Sequence, residues 1–179
     1  MIVTKHYNDD CVKFSDNYEG EVHSVVTDPP YGIEYLGNDW DSYQNCIAFK
    51  KSTWESISKP LKPGGYLVIF GASKTFHRLT CAVEDSGLKI KDVLMWLYGQ
   101  GMPKSQNIGK KDPNWEGWGT GLKPCYEPIL LAQKPISEKT IVKNFQKHGV
   151  GGINIEDTRL ESGRWAGNVL HDGSDEVEE

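Results

Sequence analysis

The chain has 179 residues, of which 37% are hydrophobic and 25% charged, and a formal net charge of −5. That length suits one domain with a substantial core, and no apolar run approaches the ~20 residues of a membrane span. Four scattered cysteines (Cys11, Cys46, Cys81, Cys125) without a Cys-x-x-Cys pair argue against a zinc site or a disulfide framework and suit reduced thiols in a cytoplasm.

In chain order, residues 2–6 read as a strand, too short and polar for a secretory leader. A turn at Asn8-Asp9-Asp10 follows, then a short helix from Cys11, which Asp10 would cap. Residues 22–27 form a second strand and run directly into Asp28-Pro29-Pro30-Tyr31. Residues 32–43 read as a loop of the kind that closes over substrate, with Trp40 as a base-side aromatic or, the favoured reading, the anchor of the loop. An amphipathic helix is expected over 45–59, stopped by residues 60–65. Residues 66–70 are a continuous apolar run, the pattern of a central parallel strand covered on both faces. A helix over 74–85, a strand over 88–98 and a strand from Tyr126 to Leu131, hairpin partner of 88–98, complete the core. The β–α–β alternation makes the class α/β with right-handed crossovers. A helix over 138–147 and a short strand at Ile153–Ile155 follow.

The tetrapeptide at 28–31 has two readings. One is a proline-stiffened turn in which Asp28 caps local amides. The other is chemical. The amino group on adenine or cytosine is a weak nucleophile, because its lone pair is spread into the ring. The Asp28 carboxylate can accept one N–H, and the Pro29 carbonyl, held by proline's fixed φ, the other. Two acceptors favour a pyramidal nitrogen and so stabilise the transition state more than the ground state. Tyr31 offers a stacking face to an extruded base, and Pro30 keeps that ring from folding back.

Further motifs accompany it: Asp10-Cys11, Thr27 through Ile33, Lys62-Pro63-Gly64-Gly65 through Gly71, and Trp96-Leu97-Tyr98-Gly99. Later come Gly117-Trp118-Gly119-Thr120, Tyr126-Glu127-Pro128-Ile129, and Gly163-Arg164-Trp165 leading to Asn168 through Gly173. As a set, along nearly the whole chain, they resemble the N6-adenine/N4-cytosine DNA methyltransferases, in the phage-like subgroup whose catalytic motif precedes the cofactor motif. The resemblance implies a Rossmann-like S-adenosylmethionine-dependent methyltransferase fold. It implies catalysis by Asp28, Pro29, Pro30 and Tyr31, cofactor contacts from Asp10 and Asp28, double-stranded DNA as substrate and no metal. Asp rather than Ser at position 28 tilts the target toward adenine N6.

Members of this subgroup carry an Asp-Pro-Phe-x-Gly-x-Gly segment that wraps the cofactor's methionine part, and none is found here. The expectation is a fold incomplete in its C-terminal cofactor half, weak cofactor binding, and an open sheet edge beside residues 22–27 that recruits a complementing chain or a second copy. The alternative is a catalytically inactive DNA-binding or partner-completed relic of the family.

Residues 1–98 are thus expected to form the catalytic core, 99–122 a DNA-contacting loop that orders on binding, 123–134 a core strand, 135–171 a target-recognition segment and 172–179 an acidic tail. Five acids lie in the last eight residues, and eight Lys face four acids over 99–151, so the middle of the chain can meet phosphates despite the net charge. The candidate nucleic-acid residues are Lys104, Lys110, Lys111, Trp118, Arg159 and Arg164; for scattered lysines, a solvated surface is the alternative.

Overall fold

The computed structural model describes residues 3–99, 101 and 105–174. Helix α1 (Cys11–Asn17) precedes strand β1 (Val22–Thr27). After a looped stretch come α2 (Lys51–Ile57), β2 (Leu61–Phe70), α3 (Phe76–Asp85) and β3 (Lys89–Leu97). Strand β4 (Tyr126–Gln133), helix α4 (Ile141–His148) and the three-residue strand β5 (Val169–His171) complete the order. The five strands form one sheet in the order β1-β2-β4-β3-β5.

The β1–α2–β2 unit is the parallel crossover that places the end of β1 beside the end of β2. On its other side β2 is antiparallel to β4, which in turn is antiparallel to β3. The expected central parallel strand is therefore parallel on one side only. Its Leu67 and Ile69 are buried, while Val68 and Phe70 are half-buried, so one face is sealed more completely than the other. Residues 60–65 do not simply break the chain. β2 already begins at Leu61, and its register against β1 jumps from Val22↔Leu61 to Ser24↔Tyr66. Gly64 absorbs the irregularity at φ 84°, and Gly65 passes so close to the His23 carbonyl that a Cβ would sit 2.8 Å from it.

The core under this sheet joins Trp54, Ile57 and Leu61 to Leu67, Ile69, Leu79, Val83 and Leu130. Trp54, 1% exposed, satisfies its indole N–H on the Ala48 carbonyl at 2.8 Å. The fully buried Asn144 of α4 donates to the Pro63 and Val150 carbonyls and accepts from the Ser137 amide, pinning α4 to β2.

Several expectations need correction. Residues 3–6 are not a strand; Val3 is 73% exposed, and β-forming residues without a neighbouring strand have no ladder to join. The helix expected over 45–59 is α2 alone, preceded by one 3₁₀ turn at Ile47–Phe49. Ile153–Ile155 lies in turn structure leading to a 3₁₀ turn at Glu156–Thr158, and the late strand is β5 instead. Among the described residues no helix is long and apolar enough to cross a membrane.

Candidate active site

β1 delivers Asp28 to the C-terminal edge of the sheet, where crevices form in open α/β folds. Asp28 is exposed; Pro29, Pro30 and Tyr31 are half-buried. The turn is held from several directions. The Cys46 thiol donates to the Pro30 carbonyl at 3.2 Å, and the Thr75 hydroxyl to the Tyr31 carbonyl at 2.6 Å. Among the described residues no donor meets the Pro29 carbonyl, which leaves free the oxygen that the two-acceptor chemistry requires.

Asp41 is the organising side chain, and only 2% of it is exposed. Its carboxylate accepts from the amides of Gly32 at 2.7 Å and Tyr35 at 2.9 Å, with Ile33 more distant at 3.4 Å. Its own carbonyl accepts from the Glu34 amide at 2.8 Å. A buried carboxylate with this many N–H partners is satisfied without a cation. Gly32 must be glycine, since its φ is 66° and a Cβ there would run into the Phe49 ring. Asp41 thus anchors the loop. Trp40, expected to do so, is 58% exposed and lines a cavity instead.

Two cavities meet at Tyr31. One, of about 480 Å³, is lined by Asp28, Pro29, Pro30, Tyr31, Trp40 and Glu127 among others. The second, of about 470 Å³, lies between Tyr31, Tyr98, Tyr126, Glu127 and residues 72–74 that follow β2. Tyr31 and Glu127 belong to both walls. Burial first, then the neighbouring Asp28 carboxylate and the charge of Glu127, push the Tyr31 phenol far above its ordinary value. Burial and Glu127 likewise push Tyr98 up to about 12. Both hydroxyls stay protonated at neutral pH and can donate. The site is therefore an aromatic cleft with two carboxylates and a free carbonyl at its edge, suited to a planar ring bearing N–H groups.

The other residues named from sequence lie elsewhere. Asp10 caps α1, accepting from the amides of Val12 and Lys13 at 3.0 and 2.9 Å, and lines neither cavity. Lys104 lies outside the described residues, as do the acids beyond residue 174. Lys110, Lys111 and Trp118 are exposed on an excursion closed by an Asn107–Gly119 bridge, where Trp115 and Trp118 meet edge to face. Residues 105–122 already carry their own hydrogen bonds: Ser105 Oγ accepts from Thr120 and Gly121, and the Thr120 hydroxyl from Gln106. Arg159 is committed locally, to Glu156 at 2.8 Å, to the Gly163 carbonyl, and over the Trp165 ring. Arg164 is exposed. Sequence reasoning misses Asp41, Cys46 and Thr75 as site residues, and it places Glu127 only inside a matching segment without a role.

Among the described residues no His, Cys, Asp and Glu group could hold a metal ion. Comparison with known proteins gives a consistent picture. The family model described as DNA methylase, of the N6/N4 type, matches residues 22–172. The type II methyltransferase M.HindIII of Haemophilus influenzae is 26% identical over an alignment that covers 81% of this chain and 65% of the relative. A Thermus thermophilus protein assigned as a DNA modification methylase superposes with TM-score 0.57 at 20% identity, over 92% of this chain and 65% of that one. The cytosine-N4-specific PvuII DNA methyltransferase gives 0.52 at 16% identity, over 92% and 55%. At such identities these structures establish a shared Rossmann-like methyltransferase fold. The chain spans less than two-thirds of the length of each of these three relatives. Because the family model takes in most of the sequence, together with the Asp28 turn and the cleft behind it, the chain belongs to the N6/N4 DNA methylase family.

Proposed function

We propose that this chain carries the amine-binding half of a DNA amino-methyltransferase that moves a methyl group from S-adenosylmethionine to adenine N6, with cytosine N4 as the alternative. The observation that carries this reading is the exposed Asp28 beside an unengaged Pro29 carbonyl, on the wall of an aromatic cleft. S-adenosylmethionine supplies an electrophilic methyl on a cationic sulfonium. Asp28, Glu127 and the ring faces of Tyr31 and Trp40 suit that charge. The Thermus protein has been solved with this molecule bound.

In the reaction, Asp28 accepts one N–H of the target amine and Pro29 O the other, turning the nitrogen lone pair toward the methyl donor. Tyr31 stacks on the extruded ring. Asp28 then takes the proton that the methylated nitrogen sheds. Asp10 would meet the adenosine part of the cofactor, but it and Asp28 line no common cavity. We therefore expect weak S-adenosylmethionine binding by these 179 residues alone; micromolar binding in calorimetry would overturn that expectation.

Residues 99–122, with Lys110, Lys111 and Trp118, and residues 135–171, with Arg159 and Arg164, would contact double-stranded DNA, in the cytoplasm. β1 pairs only with β2 among the described residues and Val26 on it is 69% exposed, which supports pairing with a complementing chain or a second copy. A clean monomer by light scattering at high concentration would count against that pairing. The decisive assay is transfer of labelled methyl to duplex DNA by the chain alone and with the additional segment of its longer relatives supplied in trans. Label on DNA that disappears with Asp28→Ala supports the proposal; no transfer in either arm sinks it.

A further inference from the structure

The turn that follows Tyr31 is strained and does not benefit the fold. Glu34 sits at φ 58°, ψ 44° and Leu36 at φ 53°, ψ 25°, both left-handed without being glycine. Such backbone costs folding free energy and persists only where its surroundings enforce it. Burial of Leu36 does not offset the cost, because the side chain is 83% exposed. The tip is nevertheless rigidly tied. The amides of Glu34 and Tyr35 are bound by Asp41, the Gly37 amide returns to the Glu34 carbonyl at 2.9 Å, and the Asn38 side chain closes on the Tyr35 carbonyl at 2.8 Å. Leu36 stands on the lip of the 470 Å³ cavity whose wall is Tyr31, and Leu122, 94% exposed, is on the same lining.

We propose that Leu36 is a DNA wedge: its side chain enters the base stack where the target nucleotide leaves it, while the displaced base occupies the cleft against Tyr31. The proposal rests on the DNA-methylase reading above. A base cannot leave a duplex without a hole behind it, and apolar side chains on a fixed backbone are what proteins insert between base steps. An exposed, strained and anchored leucine on the cavity that shares Tyr31, Tyr35 and Glu127 with the Asp28–Pro29 cleft has the required shape and stiffness, one wall away from the acceptor pair. Tyr35, also exposed, precedes it in the chain and would pack against a neighbouring sugar.

The test uses the full chain, a mixed-sequence duplex, and the same duplex carrying one abasic site, followed by fluorescence anisotropy. Wild type is expected to prefer the abasic duplex, whose hole is already open, by on the order of tenfold. Leu36→Asn should lose that preference and bind both duplexes alike. Asn tolerates the left-handed conformation, so this variant should also melt a degree or two higher than wild type. If wild type prefers the abasic duplex and Leu36→Asn keeps the same preference, the wedge is wrong while the DNA reading stands. If wild type binds neither duplex, both fall. A lower melting temperature for Leu36→Asn would show that the leucine packs into the fold and would overturn the wedge by itself.

Discussion

The turn after β1 and the segment from 152 to 171 both stand out in the sequence for their polar residues, yet they are built in opposite ways. The turn is fixed by groups distant in sequence, with Cys46 16 residues and Thr75 44 residues away from the carbonyls they hold. Every residue from 152 to 171 is exposed, and Arg159 finds its partners within six residues, its hydrogen-bond partners within four. A bond-making site needs acceptors held where charge will develop, so it draws on the whole fold. A surface that meets a polyanion can be local and adjustable, because phosphate attraction is long-ranged and sequence-blind.

This contrast can be broken most sharply at Asp28. Asp28→Ala should lower methyl transfer by about 10³-fold or more, while the melting temperature stays near wild type because the side chain is exposed. Equal activity of variant and wild type in the labelled-methyl assay would remove the turn from the chemistry. Next in size is Asp41→Ala. It strands the buried amide of Gly32 and that of Tyr35 and should cost about 3 kcal/mol in denaturant melts. Arg159→Ala, in the other region, should cost no more than about 0.5 kcal/mol. Similar losses at both positions would erase the distinction.

Smaller effects are expected in binding. Replacing Lys110 and Lys111 together by Ala should weaken duplex binding uniformly across sequences and lower the salt slope by about two, one for each phosphate that a lysine neutralises. An unchanged slope would return these lysines to the solvated surface. The smallest effect concerns pH. The folded pKa of Tyr98 is raised to about 12 from an ordinary value of 10.0, so the fold favours the protonated phenol. Its contribution is complete below pH 10 and lost as pH rises toward 12. Tyr98→Phe should flatten that part of the alkaline melting profile, and an identical profile would refute the coupling.

β1 was legible to the residue, because a valine-rich run ends abruptly at two prolines. The strand expected over 88–98 and the helix expected over 74–85 differ from β3 and α3 by one or two residues at their ends. Residues 3–6 misled because their strand-like composition meets no partner strand among the described residues, and β5 was invisible because three residues carry no alternation. Asp28 through Tyr31 could be read because the chemistry specifies side-chain types. Asp41 could not, since its partners are backbone amides, which look the same at every residue. Glu127 stood in plain view, but only the fold brings β4 up to the end of β1.

The insertion of β4 between two earlier strands also constrains how the molecule assembles. β2 and β3 have no ladder to one another; each meets β4. A nascent chain on the ribosome therefore cannot close its sheet until residues 126–133 have emerged, and until then β3 and the free edge of β2 wait unpaired, although β2 already has β1 on its other side. The gap between β3 and β4 is the stretch with Trp115 and Trp118, so its length sets how long that hazardous interval lasts.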